Sequence, residues 1–166
     1  MTVEDEVIDL MMAAADGEIV GRVRFHKIAY LLEEAGMHSG IWFSYHHYGP
    51  FSRDLADALD HAVVKDRVRE DQGRRSDSNP YSIFRSAAPQ AGDFDGMTVE
   101  QARALVQRMK DQPSVVLELA ATIHWLREKE RVADWREELR QRKTIKATDG
   151  NIERALTVLD DLGLAA

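Results

Sequence analysis

The sequence predicts an α+β fold that is mainly α. A winged-helix-like amino half, made of helices with a short strand and a β-hairpin, precedes a carboxyl-terminal helical bundle. Three observations carry this. Apolar residues recur at helical spacing in segments bounded by capping residues and glycines. One aromatic-rich run, IWFSYHHY at 41–48, alternates as a strand does. A polar turn, GRRSDSNP, separates two short β-prone segments.

The first helix spans about 2–16, where Thr2 and Asp5 form a capping box and early acids suit the helix dipole. Val7, Leu10, Met11 and Ala14 make its apolar stripe, and Asp16-Gly17 stops it. The second runs over 22–35, burying Val23, Ile28, Leu31, Leu32 and Ala35, with Gly36 as its left-handed terminator. In the strand at 41–48, Ile41, Phe43, Tyr45 and His47 share one face and Trp42, Ser44, His46 and Tyr48 the other. Gly49-Pro50 breaks that strand, Ser52 is placed as an N-cap, and Phe51 as a hydrophobic staple for a helix over 53–64. Strands near 67–70 and 81–87 form the hairpin. The linker-like AAPQAGDFDGM at 87–97 separates an amino region, 1–86, from a helical region, 98–166, packed on it as one compact unit. That second region holds a helix opened by a Thr98–Gln101 capping box, one opened by Pro113, a highly charged segment at 127–146, and a last helix over 149–162 closed by Gly163.

Composition excludes several functions. The chain has 166 residues and no cysteine, which removes disulfides, thiolate metal sites and a cysteine nucleophile. A net charge of −7 and a pI near 5.4 argue against a surface built for nucleic acid or anionic membrane. Six acids precede the first base, Arg22, which is unlike a signal or transit peptide. No apolar run approaches the ~20 residues of a membrane span. These features predict a cytoplasmic protein.

Motifs for chemistry are sparse. His46 and His47 are adjacent and so point to opposite faces of a strand, and no histidine pair has metal-binding helical spacing. His124, beside Trp125 on an apolar helix, reads as a satisfied, partly buried histidine. No nucleophile elbow or phosphate loop occurs, and Asp54, Asp57 and Asp60 form an exposed helical stripe. We therefore expect no metal, no cofactor and no enzymatic activity. Bases concentrate in two segments, 65–85 and 127–146, each interleaved with acids. In the first, Arg69, Arg74 and Arg75 stand where a basic wing would meet phosphates. In the second, the pattern reads as an exposed helix laced with i,i+4 pairs. Five of the twelve Phe, Trp and Tyr residues fall within 42–51, an aromatic density suited to a protein-binding patch.

Two stretches carry a family resemblance. RFHKIAYLLEEAG and FSYHHYGPFSRDL resemble the lysine-bearing helix and the Y-G-P-[YF]-S segment of the SocA-like antitoxin domain, also called Panacea, and its YwgA-like relatives. Lys27 and Tyr30 stand at the family's lysine and aromatic positions, and Tyr48, Gly49, Pro50, Ser52 and Leu55 match its second signature. LELAATIHWLREK resembles the YwgA-like branch in particular. His26 departs from the family's glutamine, and an extra histidine precedes Tyr48. The resemblance implies a non-catalytic protein-binding regulator of the antitoxin or proteolytic-adaptor kind, with another protein as partner, either a cognate toxin or an ATP-dependent protease. The expected partner surface is Trp42, His46, Tyr48, Arg53 and Asp57. The alternative is a winged-helix DNA-binding transcriptional regulator acting through Arg69, Arg74 and Arg75. The closing Leu164-Ala165-Ala166 resembles a tail read by the ClpXP protease, an expected degradation signal.

Overall fold

The computed structural model describes residues 1–74 and 80–165, so the turn residue Arg75 and the terminal Ala166 lie outside the described residues. The fold is α+β and mainly α, as the sequence predicts. Helix α1 (Val3–Ala14) opens on the expected box: the Asp5 amide donates to Thr2 Oγ1 at 3.2 Å, and the Thr2 amide to the Asp5 carboxylate at 3.0 Å. After the left-handed Asp16 and Gly17, a strand the sequence did not signal, β1 (Glu18–Val20), leads into α2 (Arg22–Leu32). Three residues are too few for a periodicity, so only pairing reveals β1. Helix α2 ends earlier than residue 35. The chain passes through a π-helical turn, Glu33–Met37, whose Gly36 has φ +128°.

The single strand expected over 41–48 is instead a miniature hairpin. Strands β2 (Ser44–His46) and β3 (Gly49–Phe51) pair antiparallel, Tyr45 facing Pro50, across the turn His47-Tyr48. Gly49-Pro50 ends no strand. Gly49, at φ +99°, turns the chain back, and Pro50 occupies a strand with no inner neighbour to demand its missing N–H. Helix α3 (Arg53–Val64) follows, capped by Ser52 Oγ, which accepts the Leu55 amide at 3.2 Å. The Phe51 ring lies 4.8 Å from each of His26 and His46.

Strands β4 (Arg69–Arg74) and β5 (Pro80–Arg85) form the larger hairpin, and β1 joins it, giving the order β1-β5-β4 with Ile19 opposite Phe84. The sequence of helices and strands to this point is winged-helix-like, with β2–β3 standing where a tight helix–helix turn would be. Four helices complete the chain: α4 (Val99–Met109), α5 (Ser114–Glu128), α6 (Trp135–Lys143) and α7 (Asp149–Asp161). Helix α5 is central. It packs on α2, α6 and α7 while α4 lies along α1, so one hydrophobic core runs through both parts of the chain. No helix among the described residues is long and apolar enough to cross a membrane.

The linker before α4 is stitched to the π-helical turn, because Gly96 passes so close to Gly36 that any Cβ on it would collide with the Gly36 carbonyl. Gly96→Ala is expected to cost roughly 1–3 kcal/mol of stability by overpacking. Gly92→Ala, facing open space in the same linker, should be near neutral in the same urea titration. Equal midpoints for both variants would refute this close approach.

Candidate functional site

Two neighbouring constructions on α2 and α5 hold most of the chemistry-bearing side chains. The first lies under the small hairpin. Lys27 is only 2% exposed, and its ammonium donates to the Pro50 carbonyl at 2.7 Å. The sequence anticipates this kind of partner, its stem packing while the head finds a carbonyl. Across from it on α5, the buried Glu118 carboxylate meets Lys143 at 2.9 Å and Lys146 at 3.2 Å. Thr122 Oγ1 donates to the Glu118 carbonyl at 2.8 Å and sits directly beneath Gly49, where a Cβ would stand 2.8 Å from it. Lys146 lies 5.0 Å from the Tyr48 ring centre and Arg142 lies 4.8 Å from that of Tyr45. Burial, aided by the Lys143 ammonium and opposed by Glu118, pulls Lys27 down to about 7. His26, its Nδ1 without a partner among the described residues, is pulled down to about 3 by burial, with Lys27 and Arg22 adding to the effect.

The second construction is a cleft of about 290 Å³ between the π-helical turn, segment 38–43 and α5. Glu33 forms its floor and fastens the segment: its carboxylate accepts from the Ser39 amide at 3.0 Å, the Ser39 hydroxyl at 2.5 Å and the Gly40 amide at 3.0 Å. Glu34 Oε1 meets Lys129 at 2.5 Å and lies 3.9 Å from His124 Nδ1. His124 Nδ1 in turn shares a 2.7 Å hydrogen bond with the Tyr30 hydroxyl. Burial lowers the His124 imidazole's affinity for protons, and burial beside Glu34 and Glu128 raises the Tyr30 phenol, so both are neutral at ordinary pH. The walls are Trp42, Phe43 and Trp125. Trp125 is fixed by its indole N–H, which donates to Glu130 at 3.0 Å.

The residues expected to form one partner surface fall in different surroundings. Trp42, 75% exposed, overhangs the cleft, whereas Tyr48, 47% exposed, stands over Lys146. His46 and Arg53 flank Phe51, while Asp57 lines a separate groove with Thr2, Asp5 and His61. Of the signature positions, Lys27, Tyr30, Gly49, Pro50, Ser52 and Leu55 are buried in the core or beneath the hairpin. The hairpin arginines are tied to acids: Arg69 to Asp71 at 3.0 Å, Arg85 to Asp71 and Glu18, and Arg67 to Asp5 and Asp9. Arg74 is exposed and engaged with a neighbour. Near the end of the chain, the Leu164 carbonyl accepts from Arg127 at 2.9 Å and Ala165 is exposed.

Sequence reasoning missed Glu34, Glu118, Lys143 and Lys146. Two signals were present. Glu118 is a lone acid within the apolar run VVLELAATI, and Lys143 continues the helical spacing of Trp135 and Leu139, the stripe on which α6 packs. Lys143 is accordingly 5% exposed rather than part of a fully solvated helix. Among the described residues no group of three His, Asp or Glu side chains is placed to hold a metal ion.

The Lys27 environment has a pH signature. Its proton affinity is lower in the folded chain, about 7, than the ordinary 10.5, so the unfolded chain binds more protons between those values and stability rises as pH rises through them. Relative to Lys27→Met, wild-type protein should gain on the order of 2 kcal/mol between pH 7 and pH 9.5 in chemical denaturation. A pH-independent difference would show that burial does not perturb Lys27. Gly49→Ala, with a strained φ and a Cβ against Thr122, should cost roughly 2–4 kcal/mol by the same measurement, and an unchanged midpoint would refute the tight seat.

No family model matches the chain. Over 123 residues, 72% of its length, it is 28% identical to a protein of Thermus aquaticus (strain ATCC BAA-2747 / Y51MC23) named DNA ADP-ribosyl glycohydrolase. The chain spans about a third of that protein, 34% of its length. The relative bears the name of a hydrolase. That finding overturns the expectation of a non-catalytic protein-binding regulator, together with its transcriptional-regulator alternative and the expectation that the chain is not an enzyme. The expectation had rested on the lack of a contiguous catalytic motif in the sequence. The residues that line the cleft come from positions as far apart as Tyr30 and Lys129.

Proposed function

We propose that this chain serves the hydrolytic removal of ADP-ribose from DNA, as the counterpart of part of a DNA ADP-ribosyl glycohydrolase. The observation that carries the reading is the similarity to that hydrolase over 72% of the chain. The cleft beside α5 is the place in the fold best suited to such chemistry.

Cleavage of a bond at the ribose anomeric carbon passes through an oxocarbenium-like state. A carboxylate close to that carbon stabilises the developing positive charge or takes a proton from the attacking water. In the cleft this role is assigned to Glu34, because Glu33 is engaged by Ser39 and Gly40 while Glu34 meets Lys129 and stands near the neutral His124 imidazole. The aromatic walls lower the local dielectric, which strengthens any charge interaction made there. A volume of about 290 Å³ takes one nucleoside-sized unit, so the remainder of an ADP-ribosylated strand would extend beyond the cleft.

The test is incubation of the purified chain with an ADP-ribosylated oligonucleotide, following released ADP-ribose by mass spectrometry. Wild-type chain should release it, and Glu34→Gln should slow release at least about 100-fold, the scale of losing a general base. Absence of release by the wild-type chain would overturn the reading. Release undiminished in Glu34→Gln would remove Glu34 from the chemistry while leaving the reading in place.

A further inference from the structure

We propose that the β2–β3 hairpin is a flap that opens as a unit off α2 and α5, and that falling pH favours its opening through Lys27. This equilibrium is independent of the hydrolase reading.

Apolar burial holds the hairpin only weakly. It is a two-stranded sheet with three residues in each strand, a size that is marginal without outside support. His46, His47 and Tyr48 are exposed, and Ser44, Tyr45 and Phe51 are half-buried. Firm anchors stand at its two ends instead. Phe43 is buried ahead of it, and Ser52 is buried behind it as the cap of α3. The stretch between these anchors, 44–51, has the character of a segment that opens at low cost.

Cations seat the hairpin. Lys27 donates to the Pro50 carbonyl at 2.7 Å and Lys143 to the His47 carbonyl at 3.4 Å. Arg142 and Lys146 lie against the rings of Tyr45 and Tyr48, 4.8 Å and 5.0 Å from their centres. The charged groups that face Lys27 are the Glu118 carboxylate of α5 and the Lys143 ammonium of α6, and Glu118 also engages Lys146 in the turn after α6. On α2 itself the adjacent His26 is neutral at ordinary pH, since burial pulls it down to about 3.

Gly49 and Pro50 lie over the Lys27 ammonium, which water reaches once the hairpin lifts. With the flap closed, burial holds Lys27 down to about 7, and with the flap open it returns to the ordinary 10.5. The open flap therefore binds more protons between these values, and its population grows as pH falls through them. The flap also borders the cleft. The Tyr45 ring lies 6.2 Å from that of Trp125, and Phe43, which lines the cleft, leads directly into Ser44, so lifting the hairpin withdraws Tyr45 from a cleft residue.

Hydrogen exchange of the whole chain, followed by mass spectrometry at pH 6 and pH 8 and corrected for intrinsic rates, tests the flap. Amides of 44–51 should exchange faster than those in the middle of α5 at both values. Their opening constant should be about tenfold smaller at pH 8 than at pH 6, and Lys27→Met should abolish that dependence. Exchange of 44–51 no faster than that of α5, a pH-independent opening constant in the wild-type chain, or an unchanged dependence in Lys27→Met would each overturn the proposal. A second readout needs no substitution. Acetylation of Lys27 by acetic anhydride should stay level between pH 8 and pH 9, because the growing amine fraction of the open state is offset by the shrinking open population. A model lysine amide in the same solution should react about tenfold faster at the higher pH. A parallel rise for Lys27 would overturn the proposal.

Discussion

The seat of the small hairpin on α2 and α5 is the constraint on which the rest of the molecule depends. One ammonium, Lys27, spans from α2 to the Pro50 carbonyl, and Gly49 lies so low that Thr122 of α5 occupies the space a side chain would need. Strand β3 packs on both α2 and α5, which also pack on each other as α1 does on α4, so the amino helices and the carboxyl helices share a single core. The cost is a buried concentration of charge. Lys143 and Lys146 meet the lone Glu118 carboxylate, and burial, with a smaller contribution from the Lys143 ammonium, depresses the proton affinity of Lys27 nearby. Buried ion pairs are poor sources of net stability, so this arrangement is better understood as fixing position than as strengthening the fold.

The cleft follows from the same seat. With α2 held against α5, its continuation through the π-helical turn places Glu33 and Glu34 on one side, while Trp125 and Lys129 of α5 and its C-terminal turn form the other. A regular α-helix continued to residue 37 would rotate these acids by a different amount per residue. Here the turn closes the helix, with Gly36 at φ +128° and His38 left-handed, and sends the chain back along the segment that carries Trp42. The segment that returns from the turn is pinned by Glu33, which leaves Trp42 outside and Ile41 and Phe43 inside.

Electrostatics also explains why the basic hairpin is not a phosphate-binding face by charge alone. Of the acids interleaved among its arginines in sequence, Asp71 is shared by Arg69 and Arg85, while Glu18, Asp5 and Asp9 come to Arg85 and Arg67 from the first helix and strand. Arg22 adds a cross-tie from α2 to Glu70 and Asp60. The field these residues project is correspondingly reduced.

Much of this architecture was legible beforehand, where local physics is decisive. Thr2, Ser52, Thr98 and the periodic apolar residues mark their helices because capping and amphipathic burial act within a turn or two of the chain. The alternation of Ile41, Trp42 and Phe43 likewise announced which side chains face inward. What the chain could not announce was anything that needs a distant partner. The strand β1 exists only because β5 lies beside it, and Gly49-Pro50 turns rather than stops because Thr122 and Lys27 receive it. The proximity of Glu34 to His124 is likewise a product of packing α2 and its continuation against α5, and the meeting of Lys143 and Lys146 with Glu118 is a product of packing α6 and the turn after it against α5. Sequence alone determined the helices, their caps and their buried faces, through forces of short range. The tertiary structure alone decided the seat, the cleft and the charges within them, because these arise between residues far apart in the chain.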